Sequence, residues 1–329
     1  VIILDHHQCR EELPKAYAII NPKQKDCPSE NKHLCAAGLS FKFLLYLNEF
    51  LKVDDIEDVL LEYACLGTIA DIVELMKDNR IIAVNGLNKI NNTKILGLKK
   101  LIEVSGIQDK SIKSYHIGFI IAPRINAAGR MDSAKTAVEL MITKDEKEAE
   151  RLALKLESLN SARKEAEGLI FNEAVDKIEA DFLYKKNVIV VYGNDWHEGV
   201  IGIVASRLTE KYIKPSVVIS VKDGIGKGSA RSLDYIDIFE SFKCSDCYLE
   251  KYGGHKLAAG LTILGKNINS FANELNNYVG SIIDEEYNYN EIRADAILKV
   301  SEINLRLYDE INKFEPFGSG NPKPLLALR

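Results

Sequence analysis

The sequence predicts an α/β protein of two lobes joined by long helices. Three stretches carry that expectation. Residues 1–4 read VIIL, an apolar strand that runs straight into polar residues. Residues 187–193 (NVIVVYG), a helical pattern over 199–212 and the run SVVISV after Pro215 make a second strand–helix–strand unit. Between them, residues 133–181 are rich in Ala, Glu, Lys and Leu, keep a helical period, and contain neither Pro nor Gly before Gly168.

The elements follow in order. After VIIL come Asp5, His6 and His7, at the carboxyl end of a strand, where parallel sheets place their sites. Residues 11–32 hold Pro14, Pro22 and Pro28 and read as loop. An apolar pattern at helical spacing covers 34–51. A second helix opens near Asp54, with Asp55 in its first turn, and runs to about Leu66. GTIADIVEL breaks that pattern, and another helix covers roughly 78–91. In the second lobe, GIGKGSARS reads as a glycine-rich turn into or out of a strand, and 267–285 as a helix. A new unit opens near Arg293 with ADAILKV, and PLLALR reads as a strand. A start inside a strand and an equally abrupt end make the chain read as a fragment cut at both ends.

At 329 residues the chain is long enough for two domains and part of a third. No apolar run approaches the length of a membrane span and no secretory signal is present, so a cytoplasmic location is expected. Net charge is −5, so nucleic-acid binding requires a local cluster of Lys and Arg rather than a basic surface. Six cysteines show no disulfide framework, and the lone CxxC of Cys244 and Cys247 lacks the second ligand pair that a zinc site needs.

Several short motifs carry chemistry. Carboxylate and imidazole together, as in Asp5, His6 and His7, suit Mn²⁺ or a similar divalent ion; an ordinary polar strand end is the alternative. Asp71 closes Gly67-Thr68-Ile69-Ala70-Asp71 in apolar surroundings. A capping Asp is one reading and a metal ligand the other. Hydrolysis with two metal ions needs more carboxylates than these. Asp195-Trp196-His197-Glu198-Gly199 precedes a helix whose N-terminus favours a phosphate. Ser229 and Arg231 in GKGSARS offer a hydroxyl and a guanidinium to the same ligand. Gly253-Gly254-His255, followed by Ala258-Ala259-Gly260, allows tight packing or a backbone anion nest. Arg124 and Arg130 flank Asn126-Ala127-Ala128-Gly129, either as a solvated loop or as contacts to a nucleic-acid backbone.

LDHH, LGTIADIVEL followed by DNR, PRINAAGRM, WHEGVIGIVASRL, GSARS, GGHKLAAGLTI and PFGSGNPKP occur in that order. Together they resemble the RecJ family of the DHH phosphoesterase superfamily, from residue 1 to about 325. The resemblance implies a DHH domain over 1–132, connecting helices over 133–184, a DHH-associated domain over 185–288 facing the first across a cleft, and the start of a β-barrel OB-fold over 289–329. It implies a 5′ to 3′ single-stranded-DNA exonuclease in repair and recombination. Two ions, Mn²⁺ or Mg²⁺, serve it, with further ligands from Asp motifs upstream of Val1. By motif, His6 and Asp71 match metal ligands, and Asp5 and His7 match residues beside the metal or the phosphate. Arg130, Ser229 and Arg231 match residues that engage DNA phosphates, including the 5′ end. His255, with Gly253 and Gly254, matches the glycine-glycine-histidine loop, and His197 joins the phosphate-binding set. The implied partners are single-stranded DNA, a single-strand-binding protein and a helicase. The implied enzyme is a monomer, with no membrane contact.

Two other readings compete. Small DHH phosphodiesterases of short oligoribonucleotides or cyclic dinucleotides share the GGH loop but lack the NAAGR connector and the PFGSGNP segment. A non-catalytic DNA-binding scaffold has no need of both His6 and Asp71.

Overall fold

A computed structural model describes residues 1–9, 12–283 and 293–329. The chain divides into two compact units: Val1–Gly129, Ser133–Ser158 and Ile292–Arg329 form the first, and Arg130–Asp132 with Leu159–Glu291 form the second.

The first unit opens with β1 (Ile2–Leu4), paired in parallel with β2 (Ala18–Ile20). The segment read as loop therefore contains a strand. Three residues are too few to show an alternating period, which is why β2 was not legible. Helices α1 (Ala36–Leu51), α2 (Ile56–Ala70), α3 (Lys77–Ile90) and α4 (Leu96–Val104) follow. The expected end of α2 near Leu66 is corrected to Ala70. Gly67 does not break the helix; it lets two helices touch. A Cβ at Gly67 would lie 2.3 Å from Cβ of Ala37 on α1, and one at Gly86 on α3 would lie 2.2 Å from Cβ of Cys65 on α2. Glycines thus hold α2 close to α1 on one side and to α3 on the other.

A continuous helical run comes next: α5 (Ser114–His116), a π-helical turn at Ile117–Ile121, and α6 (Ala122–Met131). Arg124 to Arg130 lie within α6, which corrects the loop reading of this motif. α7 (Lys135–Ile142) and the 35-residue α8 (Glu146–Ala180) realise the expected long helices.

The second unit is a five-stranded sheet in the order β3-β4-β5-β7-β6. β3 (Ile189–Asn194) and β4 (Ser216–Lys222) are parallel, joined through α9 (Glu198–Tyr212). β5 (Ile225–Arg231) runs antiparallel to β4 and β7. The glycine-rich segment read as a turn is this strand itself. The turn is Asp223-Gly224, with φ of 50° and 77°, and the glycines beyond it answer to packing. A Cβ at Gly228 would meet Leu261 at 2.9 Å, and one at Gly226 would meet Ile219 at 2.8 Å. α10 (Ile238–Lys243), the hairpin of β6 (Leu249–His255) and β7 (Ala258–Leu264), and α11 (Ile268–Ile282) complete the unit. The expected helix end at 285 and the domain boundary at 288/289 lie outside the described residues.

Alternation along the strands builds two cores. Ile189, Val191 and Val218 pack with α9 and the last turns of α8, while Val190, Val217, Ile219 and Ala230 pack with Phe271, Leu275 and Val279 of α11. Because Ala230 faces α11, its neighbours Ser229 and Arg231 face the opposite side, where α9 lies.

Residues beyond 293 contain β8 (Ala296–Leu298), α12 (Leu305–Asn312) and β9 (Leu326–Leu328), the two strands pairing in parallel. The PFGSGN loop between α12 and β9 docks on the helices of the first unit. Leu75 N–H donates to the Ser319 carbonyl at 2.7 Å, Ser114 Oγ donates to the Phe317 carbonyl at 2.7 Å, and Arg80 donates to the Phe314 and Glu315 carbonyls.

Candidate functional site

In the first unit, β1 delivers Asp5, His6 and His7 from its carboxyl end. Asp5 Oδ1 accepts three hydrogen bonds, from the backbone N–H of His6 at 2.9 Å and of His7 at 3.3 Å and from the His7 ring at 2.7 Å. The His7 bond, more than any other influence, holds the Asp5 carboxyl below its usual range; burial opposes it. Asp5 thus shapes the turn and fixes the His7 tautomer with its proton on Nδ1, which leaves Nε2 of that exposed ring as an acceptor.

His6 turns the other way. Its Nε2 lies 3.1 Å from Asp71 Oδ2. Asp71 is the C-cap of α2, a position where the helix dipole is negative and a carboxylate is unfavourable. A cation beside it removes that penalty. His6 Nδ1 is buried and has no hydrogen-bond partner among the described residues. With Nε2 committed to Asp71, this nitrogen stays orphaned whichever tautomer forms. One imidazole nitrogen and one carboxylate oxygen at this distance fit a divalent cation of the Mn²⁺ type, and the ligand atoms of Asp5, His6 and His7 all lie within 4.8 Å of one another. The residue after Asp71 is Ile72 at φ 57°, an unusual conformation for a β-branched side chain and a local strain next to the site.

The second unit gathers the motifs read as phosphate contacts around α9. Ser229 and Arg231 share one face of β5, and Arg231 Nη1 donates to Ser229 Oγ at 3.1 Å. A Cβ on Gly202 of α9 would lie 3.1 Å from Ser229 Oγ and 3.3 Å from Arg231 Nη2. One turn earlier, a Cβ on Gly199 would lie 2.3 Å from the Arg130 carbonyl, and Arg130 Nη1 donates to the Gly199 carbonyl at 3.3 Å. The two glycines therefore bring Arg130, Ser229 and Arg231 to the first turns of one helix. Burial, then the neighbouring cation, holds each guanidinium below its usual range: Arg163 acts on Arg130, opposed by Glu167, and Arg130 acts on Arg231.

The sheet register extends this site. Ser229 pairs with Gly260, which pairs with Gly253; Arg231 pairs with Ala258, which pairs with His255. Paired residues share a face, so Ser229 and Arg231 stand at one side of a floor of glycine and alanine, with His255 at the other side. Gly253 has open space where a Cβ would sit, and the floor is smooth. Gly254 is different: at φ 156°, its Cβ would lie 2.4 Å from the Ala258 carbonyl, so it serves the hairpin. Of the two readings of this motif, the paired strand fits tight packing rather than a backbone anion nest.

Two expectations change role. His197 is the N-cap of α9, its Nδ1 accepting from Gly199 N–H at 3.1 Å, and the N–H groups of Val200 and Ile201 donate to the His197 carbonyl. The amides of Gly199, Val200 and Ile201 are thus already bonded within the cap and the first turn. What this motif contributes is the room left by Gly199 and Gly202. Arg124 pairs with Glu157 and donates to the Ile120 carbonyl at 2.7 Å, a helix-to-helix tie rather than a free cation. The sequence reading missed Asn160, Arg163, Glu167 and Arg207. The four-residue spacing of Arg163 and Glu167 on α8 was the available signal.

Known proteins match along the whole chain. The DHH family N-terminal domain matches residues 1–68, the DHHA1 domain residues 185–281, and the RecJ OB domain residues 294–329. These define a DHH-type phosphoesterase architecture. The single-stranded-DNA-specific exonuclease RecJ of Bacillus subtilis (strain 168) is 38% identical over 327 residues, covering 98% of this chain and 41% of that protein. The RecJ of Haemophilus influenzae is 36% identical, covering 98% of this chain and 59% of its own length. The chain thus spans about half the length of these relatives. Among solved structures, RecJ from Thermus thermophilus in complex with Mn²⁺ superposes with a TM-score of 0.88 at 31% identity, covering 99% of this chain and 48% of that one. Exonuclease RecJ bound to manganese gives 0.74 at 30% identity and is covered over 71% of its length. The chain belongs to the RecJ family. No helix among the described residues is long and apolar enough to cross a membrane.

Proposed function

We propose that this chain provides the metal-binding and phosphate-binding parts of a 5′ to 3′ exonuclease that hydrolyses single-stranded DNA. The observation that carries the reading is the His6–Asp71 pair at 3.1 Å, with its carboxylate at the unfavourable end of a helix and its orphaned ring nitrogen. His6 and Asp71 hold the cation. Bound Mn²⁺ or Mg²⁺ supplies Lewis acidity at the scissile phosphodiester. Asp5 orders the turn that presents His6, and His7 offers its exposed Nε2 to a proton on the phosphate or on water. Arg130, Ser229 and Arg231 grip the terminal phosphate, Arg231 through its planar fork. His255 lines the far side of the same floor. Relatives of this description are crystallised with Mn²⁺ and with Mg²⁺, which supports the choice of ion. The match to the RecJ OB domain favours single-stranded DNA over oligoribonucleotides or cyclic dinucleotides as substrate.

The test is His6→Ala and Asp71→Ala in the protein that carries this chain. Each should abolish Mn²⁺-dependent release of nucleotides from single-stranded DNA while strand binding in EDTA survives, since the phosphate grip lies on other residues. Nuclease rates equal to the parent in either variant would remove the metal assignment.

A further inference from the structure

Residues 72–76 follow Asp71 directly and join α2 to α3. Two non-glycine residues of positive φ bracket this stretch, Ile72 at 57° and Lys77 at 47°. Such backbone is strained and persists only where its surroundings over-determine it. Ile72 and Val73 do not supply that constraint. Ile72 is 76% exposed, and both border a cavity of about 830 Å³ rather than a filled core. The fixed point is Leu75, 2% exposed, and what it meets is the tip of the PFGSGN loop. Gly318 and Asn321 exchange backbone hydrogen bonds of 3.0 and 3.1 Å, which makes Ser319 and Gly320 a two-residue turn. The turn lies flush on the joining segment. The Ser319 carbonyl accepts from Leu75 N–H at 2.7 Å, and a Cβ on Gly318 would stand 2.7 Å from Leu75 Cδ1. A Cβ on Gly320 would stand 3.1 Å from Cβ of Glu74 and 3.3 Å from Cγ of Met76. The turn itself asks for Gly320, at φ 71°, but not for Gly318; what Gly318 provides is the close approach to Leu75. The body of the loop is tied down separately. Arg80 Nη2 donates to the Phe314 and Glu315 carbonyls at 3.0 and 3.1 Å, and Lys113 pairs with Glu315 at 2.8 Å.

We propose that the Gly318-Ser319-Gly320 turn is a positioning element of the metal site: by holding Leu75 it fixes the strained chain behind Asp71 and so aims the Asp71 carboxylate at the cation. The inference rests on the reading of His6 and Asp71 as cation ligands. Asp71 ends α2, and the chain reaches Leu75 only four residues later. Between them, Ile72 N–H is bonded back to the Ile69 carbonyl, and Asn79 Nδ2 holds the Glu74 carbonyl at 3.0 Å. With Leu75 released, Ile72 relaxes toward negative φ. That rotation turns the peptide that follows Asp71 and frays the last turn of α2. The carboxylate then loses its fixed direction toward His6, which now lies 3.1 Å away, and a cation there has one firm ligand fewer. A metal ligand depends on the groups that orient it, and here those groups lie in a different part of the sequence from the ligand.

The experiment uses the protein that carries this chain. It reads the dissociation constant of Mn²⁺ from the electron paramagnetic resonance signal of the free ion, beside a thermal melt in EDTA. Gly318→Ala, whose new Cβ must push Leu75 aside, should weaken Mn²⁺ binding about tenfold, the low end of what ligand-orienting groups contribute. Affinity for a 5′-phosphorylated oligodeoxynucleotide in EDTA should stay at the parent value, because Ser229 and Arg231 belong to the other unit. A merely structural role predicts a lower melting temperature with unchanged Mn²⁺ affinity, and that result overturns the proposal. Loss of both affinities together would mean damage to the whole fold and equally overturns it. Should Gly318→Ala not fold, Arg80→Gln decides: it removes two bonds to the loop and leaves residues 72–76 unaltered, and parent-like Mn²⁺ binding in that variant refutes the role of the turn. Asp71→Ala separates the two levels. If it leaves Mn²⁺ affinity unchanged, the ligand reading itself falls; if it weakens binding while Gly318→Ala does not, only the role of the turn falls.

Discussion

Gly202 shows how much of this site depends on single atoms. A residue inside α9 normally gains from being alanine, by about 1 kcal/mol of helix propensity. Here a Cβ would stand 3.1 Å from Ser229 Oγ and 3.3 Å from Arg231 Nη2, beside the two side chains proposed to hold the phosphate. Gly202→Ala is therefore expected to leave the melting temperature unchanged or slightly raised. It should weaken binding of a 5′-phosphorylated oligonucleotide about tenfold, the effect of removing one charge-assisted hydrogen bond. Anisotropy titration alongside a thermal melt checks both halves, and tight binding by the variant would place the phosphate elsewhere. Asp71 makes the complementary point. Its carboxylate sits where the helix dipole disfavours it, so the His6 imidazole 3.1 Å away, rather than capping, accounts for its place, and the proposed cation would add to that attraction.

At the scale of elements, α2 carries Asp71, and glycine contacts on two sides fix it. The same helix holds Glu62, which is 5% exposed, with Oε2 buried and unpaired. Burial, and then the nearby Asp58, push its carboxyl above the usual 4.5, against a bond from Thr93 and the charge of Lys89. A carboxyl whose folded pKa is raised contributes stability that is fully present below the unfolded value and is lost as pH rises through the folded one. Glu62→Gln should thus stabilise the chain by roughly 1 kcal/mol at pH 8, the cost of an imperfectly paired buried charge, and by much less at pH 4. Melting curves at the two pH values test the sign. An equal gain at both would mean that shape, not charge, is responsible. The long helices were legible because thirty-odd residues of unbroken period leave no alternative; the length of α8, 35 residues, supports this. β2 and β5 were not legible. β2 is too short for a period, and the glycines of β5 look like a turn until the crowding at Leu261 and Ile219 is seen.

For the whole molecule, legibility divides by how local a signal is. His6 and Asp71, Arg130, Ser229 and Arg231 stood out because each lies in a distinctive short motif. That Ser229, Gly260 and Gly253 share a row, with Arg231, Ala258 and His255 in the next, is a matter of strand register across three segments. The role of His197 as a cap and the sharing of Glu167 by two arginines likewise exist only in three dimensions. Charge is the one global property that the sequence states outright, and it leads to a prediction. The chain carries a net charge of −5, so its overall field repels a nucleic acid and any grip must be local. Each phosphate neutralised on a single strand contributes about −0.7 to the slope of log affinity against log salt. With Arg130 and Arg231 as the cations of the proposed pocket that show no ion pair among the described residues, the slope for a short 5′-phosphorylated strand should be about −1.5 or shallower, because salt also screens the global repulsion. Lengthening the strand should barely steepen it for this chain. Titrations of a tetranucleotide and a twenty-nucleotide strand over a range of salt concentrations give the two slopes. A value near −4 for the longer strand would reveal an extended basic groove, and the local pocket would then be only one part of the grip.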